Sequence, residues 1–306
     1  MRGRLISVLA AVSALVAVAA PPAGASVAPG APGTTSYFDL ARKDCVGTAR
    51  NDASKVWFTV ADGVLSDTYW PNVDATNVKT LQYIVTDGRS FRDLQTRDMT
   101  YQSFPDATGM ACTVVASSSA HHYRIVTTYL ADPARDAVLM RTRFIGPSSD
   151  RLYVRLDALA GGTGGGGTTN GGPNSAELDS FHGDTVPVAF NTNTSTDAVN
   201  RTYAVKTFEA LQSSRGFSSA SVGYAGTASD GQQLLDSGHA LTQYDSAPDG
   251  HVALTAGVRL DRDQSADLAL GFATTEKQAL RVSSDAAGQS FARALSYYER
   301  QWQRYD

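Results

Sequence analysis

Hydrophobic and polar residues alternate with a period of two along much of this chain. Residues 123–129 (YRIVTTY), 137–144 (AVLMRTRF) and 152–158 (LYVRLDA) place every second side chain on one face, the signature of a β-strand with one buried side. The runs 55–60 (KVWFTV) and 81–86 (LQYIVT) are followed by Asp62-Gly63 and Asp87-Gly88, dipeptides that favour tight turns. Further strand-like stretches lie at 186–190, 219–224, 252–260 and 266–272. Short strands bounded by Gly, Pro, Asp and Ser, with no helical period between them, predict an antiparallel sandwich rather than β-α-β units. No repeat of fixed length appears, which disfavours a propeller or solenoid. The period changes only at the end. Phe291, Leu295, Tyr298 and Trp302 recur at i, i+4, i+7 and i+11, and Ser284-Asp285 offers a cap, so a helix is predicted over 284–306. The expected fold is therefore all-β, a large antiparallel sandwich over 34–283 followed by one C-terminal helix. A long β-module ending in an amphipathic helix looks like the front part of something larger.

The first 25 residues stand apart. Arg2 and Arg4 precede an apolar run over 5–20, and Ala23-Gly24-Ala25 supplies small residues for cleavage before Ser26. The run is shorter than the ~20 residues a bilayer span needs. This predicts a secretory signal peptide cleaved after Ala25, and an exported, soluble protein. Residues 26–33 (SVAPGAPG) read as a flexible lead-in. In an exported chain, pairing Cys45 with Cys112 is favoured over two separate buried thiols. Without C-x-x-C spacing the two cannot build a structural zinc site.

Composition narrows the chemistry by exclusion. At 42% hydrophobic and 18% charged residues with net charge −4, the chain is globular and has no basic field for nucleic acid or an anionic membrane. The glycine-rich stretch 161–173 lacks the Gly-Lys-Ser/Thr of a phosphate cradle and reads as a surface loop, so no cofactor is expected. There is no G-x-S-x-G elbow, no D-x-D-x-D-G calcium loop and no metal-binding histidine pattern. His121 and His122, as neighbours on a strand, would point to opposite faces. The four glutamates, Glu177, Glu209, Glu276 and Glu299, form no recognisable acid–base pair. The densest group of aromatic, acidic and turn residues is 63–77 (GVLSDTYWPNVDATN). Exposed rings of Tyr69 and Trp70 beside Asp74 and Asn77 would suit a sugar face; the other reading packs both rings into the core.

Residues 41–50 (ARKDCVGTAR), 54–71 (SKVWFTVADGVLSDTYWP), 81–88 (LQYIVTDG) and 97–101 (RDMTY) resemble the N-terminal domain of bacterial glucoamylases and glucodextranases. The likeness returns at 226–231 (GTASDG) and 268–272 (LALGF) and so covers nearly the whole chain beyond residue 25. The resemblance implies a super-β-sandwich joined by a linker helix to an (α/α)6 barrel, which carries the two catalytic glutamates of an inverting exo-α-glucan hydrolase. No catalytic residue of that family falls on a position of this sequence. The implied role is an accessory domain of a secreted α-glucan hydrolase, inactive alone, whose partner is an α-glucan or oligosaccharide held by the barrel. The loop of Tyr69, Trp70, Asp74 and Asn77 is expected to face that barrel. The alternatives are a free-standing extracellular carbohydrate-binding module and a remnant without ligand.

Overall fold

The computed structural model describes residues 26–36, 40–163, 174–194 and 205–304; the segment read as a signal peptide and nearly all of the glycine-rich stretch lie outside them. In chain order the elements are β1 (Cys45–Thr48), β2 (Trp57–Ala61), β3 (Val64–Tyr69), β4 (Ala75–Thr86), β5 (Arg92–Leu94), α1 (Gln95–Asp98), β6 (Thr100–Pro105), β7 (Cys112–Ser118), β8 (Tyr123–Ala131), β9 (Ala137–Ile145), β10 (Arg151–Thr163), β11 (Asn174–Phe181), β12 (Asp184–Asn191), β13 (Thr207–Ser213), β14 (Phe217–Tyr224), α2 (Gly231–Gly238), β15 (Ser246–Gly250), β16 (Val252–Val258), β17 (Ser265–Ala273), α3 (Glu276–Ala287) and α4 (Phe291–Gln303). Every stretch read as a strand falls on one of these strands.

The strands form two antiparallel sheets. One runs β1-β2-β3-β4-β10-β16-β14, with β5 added beside β4; the other runs β15-β11-β12-β13-β17-β9-β8-β7-β6. Alternation does the work expected of it: β7 is buried at every second residue, and the inward set from both sheets, including Phe58, Leu81, Tyr83, Ile125, Tyr129 and Leu270, makes one core. Asp62 and Gly63 both take positive φ and close the β2–β3 hairpin in two residues, as an Asp-Gly turn should. Cys45 and Cys112 are joined by a disulfide, 67 residues apart, that ties edge strand β1 to β7 in the opposite sheet.

Three features depart from the expectation. The C-terminal helical region is two helices. α3 starts at Glu276, and the chain breaks at 288–290 before Ser290 Oγ caps α4 by accepting from Arg293 N. Ser284 and Asp285 lie inside α3 instead of capping a helix. α3 lies on the outer face of the second sheet, over Val186, Val188, Ala210 and Ala273. Gly271 permits the approach, because a Cβ there would lie 2.6 Å from Ser283 N. Secondly, the region read as purely β holds α1 and α2, and Asp230 caps α2 by accepting from Gln232 N. Thirdly, residues 26–33 are not a free lead-in. Ala28 N donates to Ser246 O at 2.8 Å, Asp245 N to Ser26 O at 2.7 Å and His251 N to Pro32 O at 2.8 Å.

The stripe of α4 folds back on the sandwich. Phe291 and Tyr298 are buried in the main core. Tyr298 Oη lies within hydrogen-bond distance of the carbonyls of Thr48 (2.8 Å) and Met110 (2.9 Å), which share its one proton, and Trp302 Nε1 donates to the same Thr48 carbonyl at 3.0 Å.

Candidate functional site

The end of the sandwich that holds α4 also carries the loop singled out in the sequence. Thr48, which anchors α4, pairs with Trp57, and Trp57 pairs with Tyr69 at the end of β3. The chain then turns through 70–74: Trp70 N donates to Ala75 O, and Asp74 N donates to the Asn72 side chain. Asn77 closes the turn from below. Its Nδ2 donates to the carbonyls of Trp70 (2.9 Å) and Ala75 (3.0 Å), while its Oδ1 accepts from Gly161 N at 2.8 Å. Asn77 is therefore a structural bracket between β4 and β10, with no exposed surface.

Trp70 corrects the picture of an exposed aromatic platform. The ring is only 4% exposed and stacks on Phe272, centroids 6.3 Å apart, between the sheets. What faces solvent is a different set. Trp57 and Val73 are exposed, Tyr69 is half-buried and Asp74 is exposed. Of the four residues expected to share a surface, the structure keeps Tyr69 and Asp74 near it and turns Trp70 and Asn77 inward.

Beneath this loop the interior is polar. Phe272 of β17 pairs with Glu209 of β13, and Asn191 of β12 with Thr207 of β13, so Glu209 and Thr207 share the inward face of the second sheet with the stacking partner of Trp70. A Cβ on Gly161 would lie 3.6 Å from Thr207 Oγ1 and 3.7 Å from Asn191 Nδ2, which sets the two sheets face to face here. Glu209 is fully buried; neither of its carboxylate oxygens, nor Trp70 Nε1, has a hydrogen-bond partner among the described residues. Burial pushes the Glu209 carboxyl well above its usual range, so it is held neutral.

A second group of buried polar residues lies on the outer face of the first sheet, and no sequence signal marked it. Arg155 on β10 grips Asp230 with two bonds, Nε to Oδ1 at 2.9 Å and Nη2 to Oδ2 at 2.7 Å. Its Nη1 donates to Asp157 Oδ2 at 3.2 Å. His251 Nε2 lies 2.5 Å from Asp157 Oδ1, and its Nδ1 lies 3.1 Å from the Thr34 carbonyl. Burial by itself raises the Asp157 pKa, but Arg155 and His251 outweigh it and bring it down to about 2. Burial would likewise lower Arg155, yet its two aspartates hold it above the ordinary arginine value. This group floors an open cavity of about 250 Å³, walled by Thr80 and Gln82 of β4, Thr96 of α1, and Gln232 and Gln233 of α2.

The remaining candidates disperse. His121 and His122 sit in the β7–β8 turn, where His121 Nδ1 lies 2.8 Å from Asp93 Oδ2 and its ring stacks on Phe91. Glu276 at the start of α3 meets Asp179 of β11, a hydrogen bond that, with burial, pushes Glu276 up to about 7. Among the described residues no group of three His, Cys, Asp or Glu is placed to hold a metal ion, and no helix is long and apolar enough to cross a membrane.

Comparison with known proteins accounts for the fold. The family model for domain N of glucodextranase matches residues 28–306. The chain belongs to the glucodextranase domain N family. It is 27% identical over 280 residues to a glucoamylase of Clostridium sp. (strain G0005), an alignment spanning 90% of this chain and 37% of that enzyme. The crystal structure of a bacterial glucoamylase complexed with acarbose is similar over 92% of this chain and 39% of its own, with 26% identity and a TM-score of 0.80. An inverting mannosidase of family GH92 from Bacteroides thetaiotaomicron, 11% identical with a TM-score of 0.50, shares the fold alone. The chain thus spans well under half the length of both glucoamylases. As a domain N member it corresponds to the sandwich portion of such enzymes.

Proposed function

We propose that this chain acts as the N-terminal accessory domain of a secreted, exo-acting α-glucan hydrolase and supports an (α/α)6 catalytic barrel. The observation that carries this reading is the pairing of a domain N match over 28–306 with coverage of only 37% of the glucoamylase relative. The route a following domain would take supports it. α4 is clamped to Thr48 by Tyr298 and Trp302, and Thr48 leads through Trp57 to Tyr69, so the helix and the 70–74 loop share one end of the sandwich. On this reading residues 284–306 lead into the barrel, Val73 and Asp74 face it, and the buried Trp70 and Asn77 hold the loop in shape. Residues 1–25 direct export.

The test replaces the matching region of the Clostridium glucoamylase with this chain. The expected result is glucose release from maltodextrin by the chimera and none by the chain alone. An equally active catalytic region with no sandwich attached, equally resistant to heat, overturns the supporting role. Retention of the isolated chain on insoluble starch would instead favour a free-standing binding module.

A further inference from the structure

The cavity over the outer face of the first sheet has a floor in which the charges cancel one another. Arg155 spends Nε and Nη2 on Asp230 and Nη1 on Asp157, and all three residues are nearly fully buried. His251 is held between Asp157 and the Thr34 carbonyl. An anion entering the cavity finds the Arg155 fork already engaged by carboxylates, and a cation finds both carboxylates already paired.

Apart from Lys79, which is itself engaged and acts on the Asp157 carboxylate, what is left on the walls is neutral and of mixed polarity. Gln82 Oε1 accepts from Thr96 N (3.3 Å) and Thr96 Oγ1 (2.9 Å), which fixes that carboxamide in place. Across the opening, the side-chain amides of Gln232 and Gln233 have no hydrogen-bond partner among the described residues. Each offers two donors and an acceptor on the first turn of α2. That helix is held in place by the Asp230 cap and by the ion pair of buried Arg92 with Asp236. Rigid walls that present donors and acceptors together suit hydroxyl groups, which need both. At about 250 Å³ the space is below the ~300–1,000 Å³ of drug-sized sites and accommodates one ring, not an oligosaccharide.

We propose that this cavity is a binding site for one small, neutral, polyhydroxylated molecule, a single sugar unit or a short polyol, gripped between Gln82–Thr96 and Gln232–Gln233 above the Arg155–Asp157–Asp230–His251 floor. Among the described residues the lining holds no Phe, Tyr or Trp to act as a stacking platform, so binding is weak, with a dissociation constant in the millimolar range. The site does not depend on the accessory-domain role: it belongs to this chain alone.

The test is a titration of the isotope-labelled chain followed by amide chemical shifts, using D-glucose, glycerol and inorganic phosphate. Saturable shifts confined to Thr96, Gly226, Gln232 and Gln233 are expected with glucose, with glycerol or with both, and none with phosphate. Glucose alone identifies a sugar-unit site, and glycerol with equal affinity a polyol site. The double change Gln232→Leu and Gln233→Leu, at half-buried positions of α2, should weaken binding about tenfold or more with an unchanged melting temperature. Should that variant lose its fold, Thr96→Val replaces it with the same expectation. Preferential phosphate binding, shifts scattered over the surface, no saturation with either polyol, or unaltered affinity in the variants would each overturn the proposal. None of these results bears on the accessory-domain reading, which is tested by glucan hydrolysis in the chimera.

Discussion

Among the buried polar side chains of the described residues, two sets are satisfied to very different degrees. On the outer face of the first sheet, Arg155, Asp157, Asp230 and His251 form a closed network in which the charged groups pair with one another. Between the sheets, below the 70–74 loop, the Glu209 carboxyl and the Trp70 indole N–H have no partner among the described residues. Burial is the same in both places; the availability of partners is not. In the first set Arg155, Asp157 and Asp230 favour their charged forms and hold their geometry through charge. The second keeps its acid neutral and holds its geometry through packing of Trp70 on Phe272. A buried charge is tolerated where its countercharge is built in, and is titrated away where it is not.

The largest effect should come from breaking the closed network. Arg155→Met leaves Asp157 and Asp230 buried without their countercharge, and a loss of about 3–5 kcal/mol is expected in urea unfolding. A loss under about 1 kcal/mol would mean that the aspartates find other partners and the network is dispensable.

Acid titration sharpens the same point with no change of sequence. Asp157 is depressed to about 2 from 3.8, so its contribution is present above the unfolded-state value and disappears as pH falls from about 4 to 2. The shift corresponds to about 2 kcal/mol. Asp230, also lowered, acts in the same direction. Asp157→Asn should flatten this limb of the stability–pH curve; an unchanged limb would place acid sensitivity elsewhere.

That network was illegible in the sequence for a physical reason. Arg155 and Asp157 alternate with apolar residues on β10, the pattern of a strand with one solvated face, and as a strand it is correctly read. Their burial comes from Asp230 and His251, 75 and 94 residues further on, which cover the outer face with a second layer. Alternation reports which face is polar, not whether something later covers it. The α4 stripe was legible because its partners enforce a helical period, whereas its start was not: Ser284-Asp285 resembles a cap, yet a helix already runs through it and Ser290 provides the real one. The 63–77 cluster was found by composition, but composition could not show that Trp70 turns inward and Trp57, paired with Tyr69, takes the exposed place.

A smaller effect, of opposite sign, is expected at the unsatisfied set. Glu209→Met removes two unpartnered oxygens and keeps much of the volume, so a gain of about 1–2 kcal/mol is expected at neutral pH. The pH dependence follows from the raised carboxyl. In the folded chain Glu209 stays protonated while the unfolded chain ionises above about 4.5, so the stability it contributes at low pH is lost as pH rises. The variant should lack that decline. Destabilisation by the same change would show that Glu209 has a partner in solution, such as an ordered water, and the contrast between the two sets would narrow.

The smallest effect on stability belongs to the loop surface directly above the unsatisfied set. Val73 is 58% exposed and makes no contribution to the core, so Val73→Ser should alter unfolding free energy by no more than about 0.5 kcal/mol. Asn77→Ala is the matched interior control, because it strips two donors from the loop carbonyls and the acceptor from Gly161 N, leaving buried groups unpaired. If the loop serves a catalytic domain, the two changes must separate in the glucoamylase chimera. Val73→Ser should weaken glucan hydrolysis or domain association while leaving the sandwich as stable as before, whereas Asn77→Ala should lower stability first and activity only as a consequence. Activity that follows stability in both variants would leave the loop with a structural role alone, and the functional surface would have to be sought away from this end of the sandwich.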